Sequence, residues 1–148
     1  MFKIGLSGLS FAYYLRKHGQ TQDFGIAFFG IFYALSGYMA AYSWNIMWLD
    51  CIILFPLIVL GIERLVKEKK GTLYCITLGL SILSNYYISI MICLFLVLYF
   101  AALLILEGKK SMKDWLINIG QFSVYSLVAG GLAAVVLLPE IFALQMTA

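Results

Sequence analysis

Read only for apolar and polar positions, the chain alternates long apolar runs with short polar interruptions. Residues 2–15, 24–42, 46–65 and 115–138 are apolar runs, and residues 71–106 form a longer one. A hydrocarbon core of about 30 Å takes about 20 helical residues. On that scale 24–42, 46–65 and 115–138 are each long enough to span, whereas 2–15 is short and reads as the end of a helix. The 71–106 run is too long for one helix. "SNYY" at 84–87 divides it into a short piece, 71–84, and a full-length one. Pro139 and Glu140 close the last run. The pattern predicts an all-α, polytopic transmembrane bundle of about six spans, the first and fourth short, forming a single domain over 1–148.

Composition agrees with the pattern. The chain is 64% hydrophobic and 11% charged, with a mean hydropathy of +0.98. A soluble domain is about 45–50% apolar and about one-quarter charged. An integral membrane protein is therefore expected, and the net charge of +3 matters less than where the charges fall. No nucleic-acid partner is implied. Cys51, Cys75 and Cys93 lie in apolar runs without metal-ligand spacing and read as small core hydrophobes. Only Lys3 precedes the first run and no small-residue cleavage site follows it, which argues against a signal peptide.

The charges set an orientation. All Lys and Arg residues except Lys3 fall in "RKHG", "ERLVKEKK" and "EGKKSMKDW". With six spans these clusters share one face, and Lys/Arg excess marks the cytoplasmic side. Both ends of the chain are then expected at the outer face of the membrane. His18 reads as a solvated loop residue. The basic loops can meet anionic lipid headgroups, though orientation alone accounts for them.

The outer face then collects "AYSWNIMWLD" (41–50), "SNYY" and Pro139–Glu140. Interfacial tryptophan and tyrosine, a cap from Ser43 or Asn45 and a helix-start acid at Asp50 explain this without a ligand. Two features point further. Asp50 sits about 7 Å past a cap at Asn45, and an ionised side chain within the membrane boundary is a functional candidate by default. Pro56, mid-helix, can kink the same span. The 71–84 helix is only about 21 Å long, so Asn85 would lie below the surface. Irregular backbone at that depth must be buried in protein or line a cavity; a thinned or tilted span with a tight turn is the alternative. Trp44, Asn45, Trp48, Asp50, Asn85, Tyr86, Tyr87 and Glu140 are the candidate substrate-binding residues.

Other features read as structural. Ser126, Gly130 and Ala134, and likewise Gly37 and Ala41, have the spacing of close helix packing. Glu63 can pair with Lys67, and Arg64 with Glu68, at i, i+4. No Walker motif, nucleotide fingerprint, zinc signature or nucleophile elbow is present, and no metal or cofactor is expected.

"YALSGYMAAYSWNIMWLD", "ILFPLIVLGIERL" and "LSNYYISIMICLFLVLYF" resemble the YfhO family of bacterial membrane proteins, collinearly from about Leu9 to Leu138. The resemblance implies a GT-C-type membrane glycosyltransferase. Such an enzyme takes sugar from a polyprenyl-phosphate carrier at the outer leaflet and passes it to an envelope polymer such as teichoic acid. It also implies a longer protein, of which this chain matches part of the N-terminal membrane region. The catalytic base would then lie in a preceding outer loop, and this chain alone would be inactive. Asp50 is the one candidate base within it.

Transfer to a hydroxyl needs a carboxylate to take the proton and cationic or hydrogen-bonding groups on the departing phosphate. The outer face offers Asp50, Glu140, Asn45, Asn85 and five aromatic rings. It has no Arg and Lys3 is its only base, so the phosphate-binding cations are expected from elsewhere in a full-length protein. A transporter or flippase-like module would use the same intramembrane acid and kinked helix, and a non-catalytic membrane scaffold would need neither.

Overall fold

The first helix, α1, spans Phe2–Gly19 and carries Arg16, Lys17 and His18 in its last turn, where cations complement the negative end of the helix dipole. It belongs to a computed structural model that describes residues 2–19, 24–37, 41, 44–106 and 112–147. Six further helices follow among those residues: α2, Phe24–Ala34; α3, Ile46–Glu68; α4, Thr72–Ser84; α5, Tyr86–Leu106; α6, Met112–Leu132; and α7, Ala134–Thr147. No strand occurs among the described residues, so the expected all-α class holds. One helix, Tyr86–Leu106, is long and apolar enough to cross a membrane on length and composition alone.

Three boundaries differ from the sequence reading. The first helix runs on to Gly19, because nothing after Leu15 stops it and the basic turn suits a helix end. The second ends at Ala34, well before residue 42: the Ser36 N–H reaches back to the Tyr33 carbonyl at 3.3 Å, a tightened final turn, and Ser36 is a weak helix former. The last apolar run breaks at Ala133, after Gly130–Gly131, and continues through Pro139 inside α7. A glycine pair bends a helix readily. The proline removes one N–H without ending the helix.

From α1 to α6 successive helices alternate in direction. Against α1, α2 runs antiparallel at very close range. A Cβ on Gly8 would sit 3.0 Å from the Gly30 carbonyl oxygen and 3.1 Å from the Ala34 Cβ, and one on Gly30 would sit 3.2 Å from the Ala12 Cβ. Phe11 stacks on Tyr33 beside this crossing, with ring centroids 4.6 Å apart. Small residues let two backbones meet this way. A Cβ on Gly37 or on Gly130, from the stripes expected to pack closely, would meet nothing within 4 Å; spacing identifies helices that could pack closely, and the partner decides which face does.

Helix α3 is the hub, packing on α1, α4, α5 and α6. Ile58, Ile62, Leu65 and Val66 from α3 meet Tyr74, Cys75, Leu78 and Ile82 from α4, Ile92, Leu96 and Phe100 from α5, and Ala129 and Ala133 near the end of α6. The turn from α3 into α4 is tight. Lys69 closes α3 in the left-handed region (φ 59°), its N–H bonding to the Leu65 carbonyl, a conformation usual for glycine. Further back along α3, a Cβ on Gly61 would fall 2.7 Å from the Tyr74 Cα.

The break at "SNYY" is real. Asn85 is extended between α4 and α5, and its side-chain Oδ1 accepts the Ile88 N–H at 3.1 Å, an N-cap bond. Its backbone N–H bonds to the Ser81 carbonyl and its carbonyl accepts from Ser89 N–H. Backbone at the break is thus satisfied within the protein. Helix α5 buries one stripe, Ser89, Ile92, Leu96, Phe100 and Leu104. Its other faces expose Ile90, Leu94, Leu98 and Ile105.

Candidate functional site

The alternating helices sort polar groups to two ends. Arg16, Lys17 and His18, the Arg64–Lys70 stretch and Lys113 lie toward one end, tied together by a His18–Glu63 contact and a Lys69–Asn118 hydrogen bond. Lys3, Asp50 and Asn85 lie toward the other. The sorting of the described basic residues agrees with the charge pattern of the sequence.

At the second end, parallel packing of α1 and α3 brings Lys3 onto Asp50. The ammonium lies 2.7 Å from Oδ1 and 2.8 Å from Oδ2, and both side chains are about one-third exposed (33% and 36%). Asp50 is therefore more than a helix-start charge: it holds a cation from another helix. Lys3 was visible in the sequence as the one base on this face, but pairing it with Asp50 required knowing that α1 and α3 run side by side.

Cys51, next along α3, points into the protein. Its Sγ lies 3.6 Å from the Ser81 carbonyl oxygen, 3.9 Å from that of Asn85 and 4.0 Å from the Ser89 Oγ. Ser81 and Ser89 hydroxyls share a 2.9 Å bond. This small polar node joins α3 to the α4–α5 break, so Asp50 and Asn85 sit on adjoining elements. Tyr86 is half-buried and Tyr87 exposed.

The remaining candidates are scattered. Trp44 is exposed, its indole N–H donating to the Ala41 carbonyl at 3.1 Å. Trp48 is half-buried on α3. Asn45 stands at the N-cap of α3 but makes no side-chain cap bond, unlike Asn85, which caps α5. Ser43 and the Glu140 side chain lie outside the described residues. The α7 backbone that carries Glu140 packs mainly on α6.

Beside the Asp50 end lies a lateral cleft of about 370 Å³, walled by Tyr33 and Ser36, by Cys51, Ile52 and Phe55, and by Ile88, Met91 and Ile92. Its floor explains Pro56. Proline has no N–H, so the carbonyl four residues back, on Ile52, lacks its helical donor. The Tyr33 hydroxyl supplies one at 2.9 Å. Helix α3 continues through Pro56 with a cross-helix bond in place of the missing internal one. Tyr33 was not singled out from the sequence, although a mid-helix proline signals an acceptor needing a partner at i−4.

The i, i+4 pairing read for Glu63 and Lys67 is not formed. Glu63 is buried on α3 and accepts from Tyr14, His18 and Tyr99 instead. Nor is His18 a loop residue; it lies in the last turn of α1 and faces Glu63. An acid on the buried side of a helix bonds to what packs there, which its own helix's periodicity does not reveal.

A family model described as "Bacterial membrane protein YfhO" matches residues 1–148. The chain belongs to the YfhO family. It is 26% identical over 150 residues to a Bacillus subtilis (strain 168) protein described as "Uncharacterized protein YfhO". That alignment covers 96% of this chain and 16% of the relative, so the chain spans about one-sixth of that YfhO protein's length. No solved structure matches. Membership of the YfhO family, together with the apolar Tyr86–Leu106 helix, supports a membrane location. Among the described residues no group of three or more His, Cys, Asp or Glu side chains is placed to hold a metal ion.

Proposed function

We propose that this chain is the part of a YfhO-type membrane glycosyltransferase that receives a lipid-linked sugar donor at the outer face. The observation that carries the proposal is the Lys3–Asp50 ion pair, adjacent along α3 to Cys51 and Ile52 in the wall of the lateral cleft. A polyprenyl-phosphate sugar combines an apolar chain with an anionic phosphate. The cleft suits the chain, and the Lys3 ammonium suits the phosphate as a charge-assisted donor. Asp50 would hold Lys3 in place before the donor arrives and accept a hydrogen bond from a sugar hydroxyl afterwards. Trp44, Trp48, Tyr86 and Tyr87 would line the entrance with rings that tolerate both lipid and water. Proton removal from the acceptor is assigned to a carboxylate elsewhere in the longer protein, and the acceptor to an envelope polymer such as teichoic acid. The chain would form part of an N-terminal multi-pass membrane region, its basic end cytoplasmic.

The test is Asp50→Asn, Lys3→Gln and the swapped pair Lys3→Asp with Asp50→Lys, each in a full-length protein. Polymer glycosylation is read against protein abundance in the membrane. A partly exposed ion pair contributes about 0–1 kcal/mol to stability, so abundance should change little. Transfer should fall at least tenfold, a barrier rise of about 1.4 kcal/mol, and the swap should not restore it. Normal transfer in both single variants would reject the site. Restoration by the swap would reduce the pair to a structural tie.

A further inference from the structure

At the opposite end of α3 from Asp50, one carboxylate gathers three helices. Glu63 Oε1 accepts the Tyr99 hydroxyl from α5 at 2.7 Å and the Tyr14 hydroxyl from α1 at 3.0 Å. Its Oε2 lies 2.8 Å from His18 Nδ1. The Glu63 side chain is 4% exposed, whereas that of His18 is 49% exposed. Half of the imidazole therefore meets solvent while its Nδ1 reaches a buried acid.

We propose that Glu63, His18, Tyr14 and Tyr99 form a proton-sensitive latch that fastens the end of α1 to α3 and α5. Burying a carboxylate is costly unless a cation or several donors compensate it. The tyrosines supply neutral donors, and His18 is the charge partner when protonated. Among the described residues, no other group nearby takes that role. On α1 and α3, Arg16, Lys17, Arg64 and Lys67 are close in sequence, yet no ion pair joins them to Glu63 among the described residues; Lys17 lies over the Tyr13 ring. The Tyr74 hydroxyl of α4 is engaged by Ser126 of α6, and Lys69 by Asn118 of α6. Tyr33 of α2 bonds at the other end of the bundle.

Histidine is the side chain whose charge changes between about pH 5 and 8, and charge-assisted hydrogen bonds are roughly twice as strong as neutral ones. Protonated His18 closes the latch. With the imidazole neutral, Glu63 keeps only neutral donors, and the end of α1 is freer to leave. The proposal stands apart from glycosyl transfer, since it concerns the position of a helix.

Spin labels at Lys17 and Lys67, exposed positions at neighbouring helix ends, would report the α1–α3 distance in full-length protein reconstituted in lipid. Distances are measured by pulsed electron resonance from pH 5.5 to 8.5. A single short distance at low pH should give way to a second, longer population, the long-to-short ratio rising about fivefold. His18→Gln keeps a neutral donor but cannot titrate in this range, so its distribution should be independent of pH. An unchanged wild-type distribution across the range would overturn the latch. So would a His18→Gln protein that responds as the wild type does.

Discussion

The hydroxyl of Tyr33 offers a clean test of how α3 accommodates Pro56. Tyr33→Phe removes one oxygen and keeps the ring that stacks on Phe11 at 4.6 Å, so packing of α1 on α2 should survive. What is lost is the 2.9 Å bond to the Ile52 carbonyl, which Pro56 leaves without a helical donor. Stranding a buried acceptor costs about 1–3 kcal/mol. In a Pro56→Ala background the backbone N–H regained at that position can bond to Ile52 in the ordinary i→i−4 manner. Removing the hydroxyl should then cost only about 0.6 kcal/mol, the average for a bond between membrane helices. The two costs should differ by about 0.4–2.4 kcal/mol, a coupling that a double-mutant cycle isolates. The assay is reversible unfolding of the four full-length proteins in mixed micelles by increasing SDS, followed by tryptophan fluorescence. Equal costs in the two backgrounds would refute the reasoning, because the Tyr33 bond would then have nothing to do with the proline.

Three further outcomes are expected. Gly61→Ala would place a Cβ 2.7 Å from the Tyr74 backbone, so the α3–α4 hairpin must open at a cost of about 1–3 kcal/mol, read as lower membrane abundance; unchanged abundance and unfolding would contradict that crossing. Asn85→Ala should lose about 1 kcal/mol with the cap on α5, and Asn85→Asp should retain most of it, checked by the same SDS titration. A cysteine at Lys67 should be shielded from a membrane-impermeant thiol reagent in intact cells while one at Trp44 is labelled, as the positive-inside asymmetry requires; the reverse pattern would invert the bundle.

Some of this architecture was legible because the sequence breaks its own rule there. Ser84 and Asn85 interrupt an otherwise unbroken apolar run, and the chain turns at Asn85. The basic residues collect at helix ends because a charge within an apolar segment is costly, so their positions report which ends lie together. Contacts across helices were not legible. Glu63 has a Lys four residues on, which satisfies single-helix arithmetic, yet its partners lie 36 to 49 positions away. Lys3 and Asp50 were both noted on one face, but 47 positions separate them and only the parallel docking of α1 joins them. The break at Ala133 was hidden by uniformly apolar neighbours, since hydropathy records burial and carries little about backbone curvature.

The Lys3–Asp50 ion pair and the His18–Glu63 contact together act as a length standard for α1. Lys3 and His18 are 15 residues apart and span about 22 Å, while Asp50 and Glu63 are 13 residues apart and span about 20 Å. Nearly equal rulers lie side by side and are pinned at both ends. An added residue turns the helix beyond it by about 100° and advances it about 1.5 Å. An insertion or deletion between the pins therefore leaves one pair aligned and swings the other away from its partner. Point substitutions in the middle of α1 preserve this gauge, whereas a change in its length cannot.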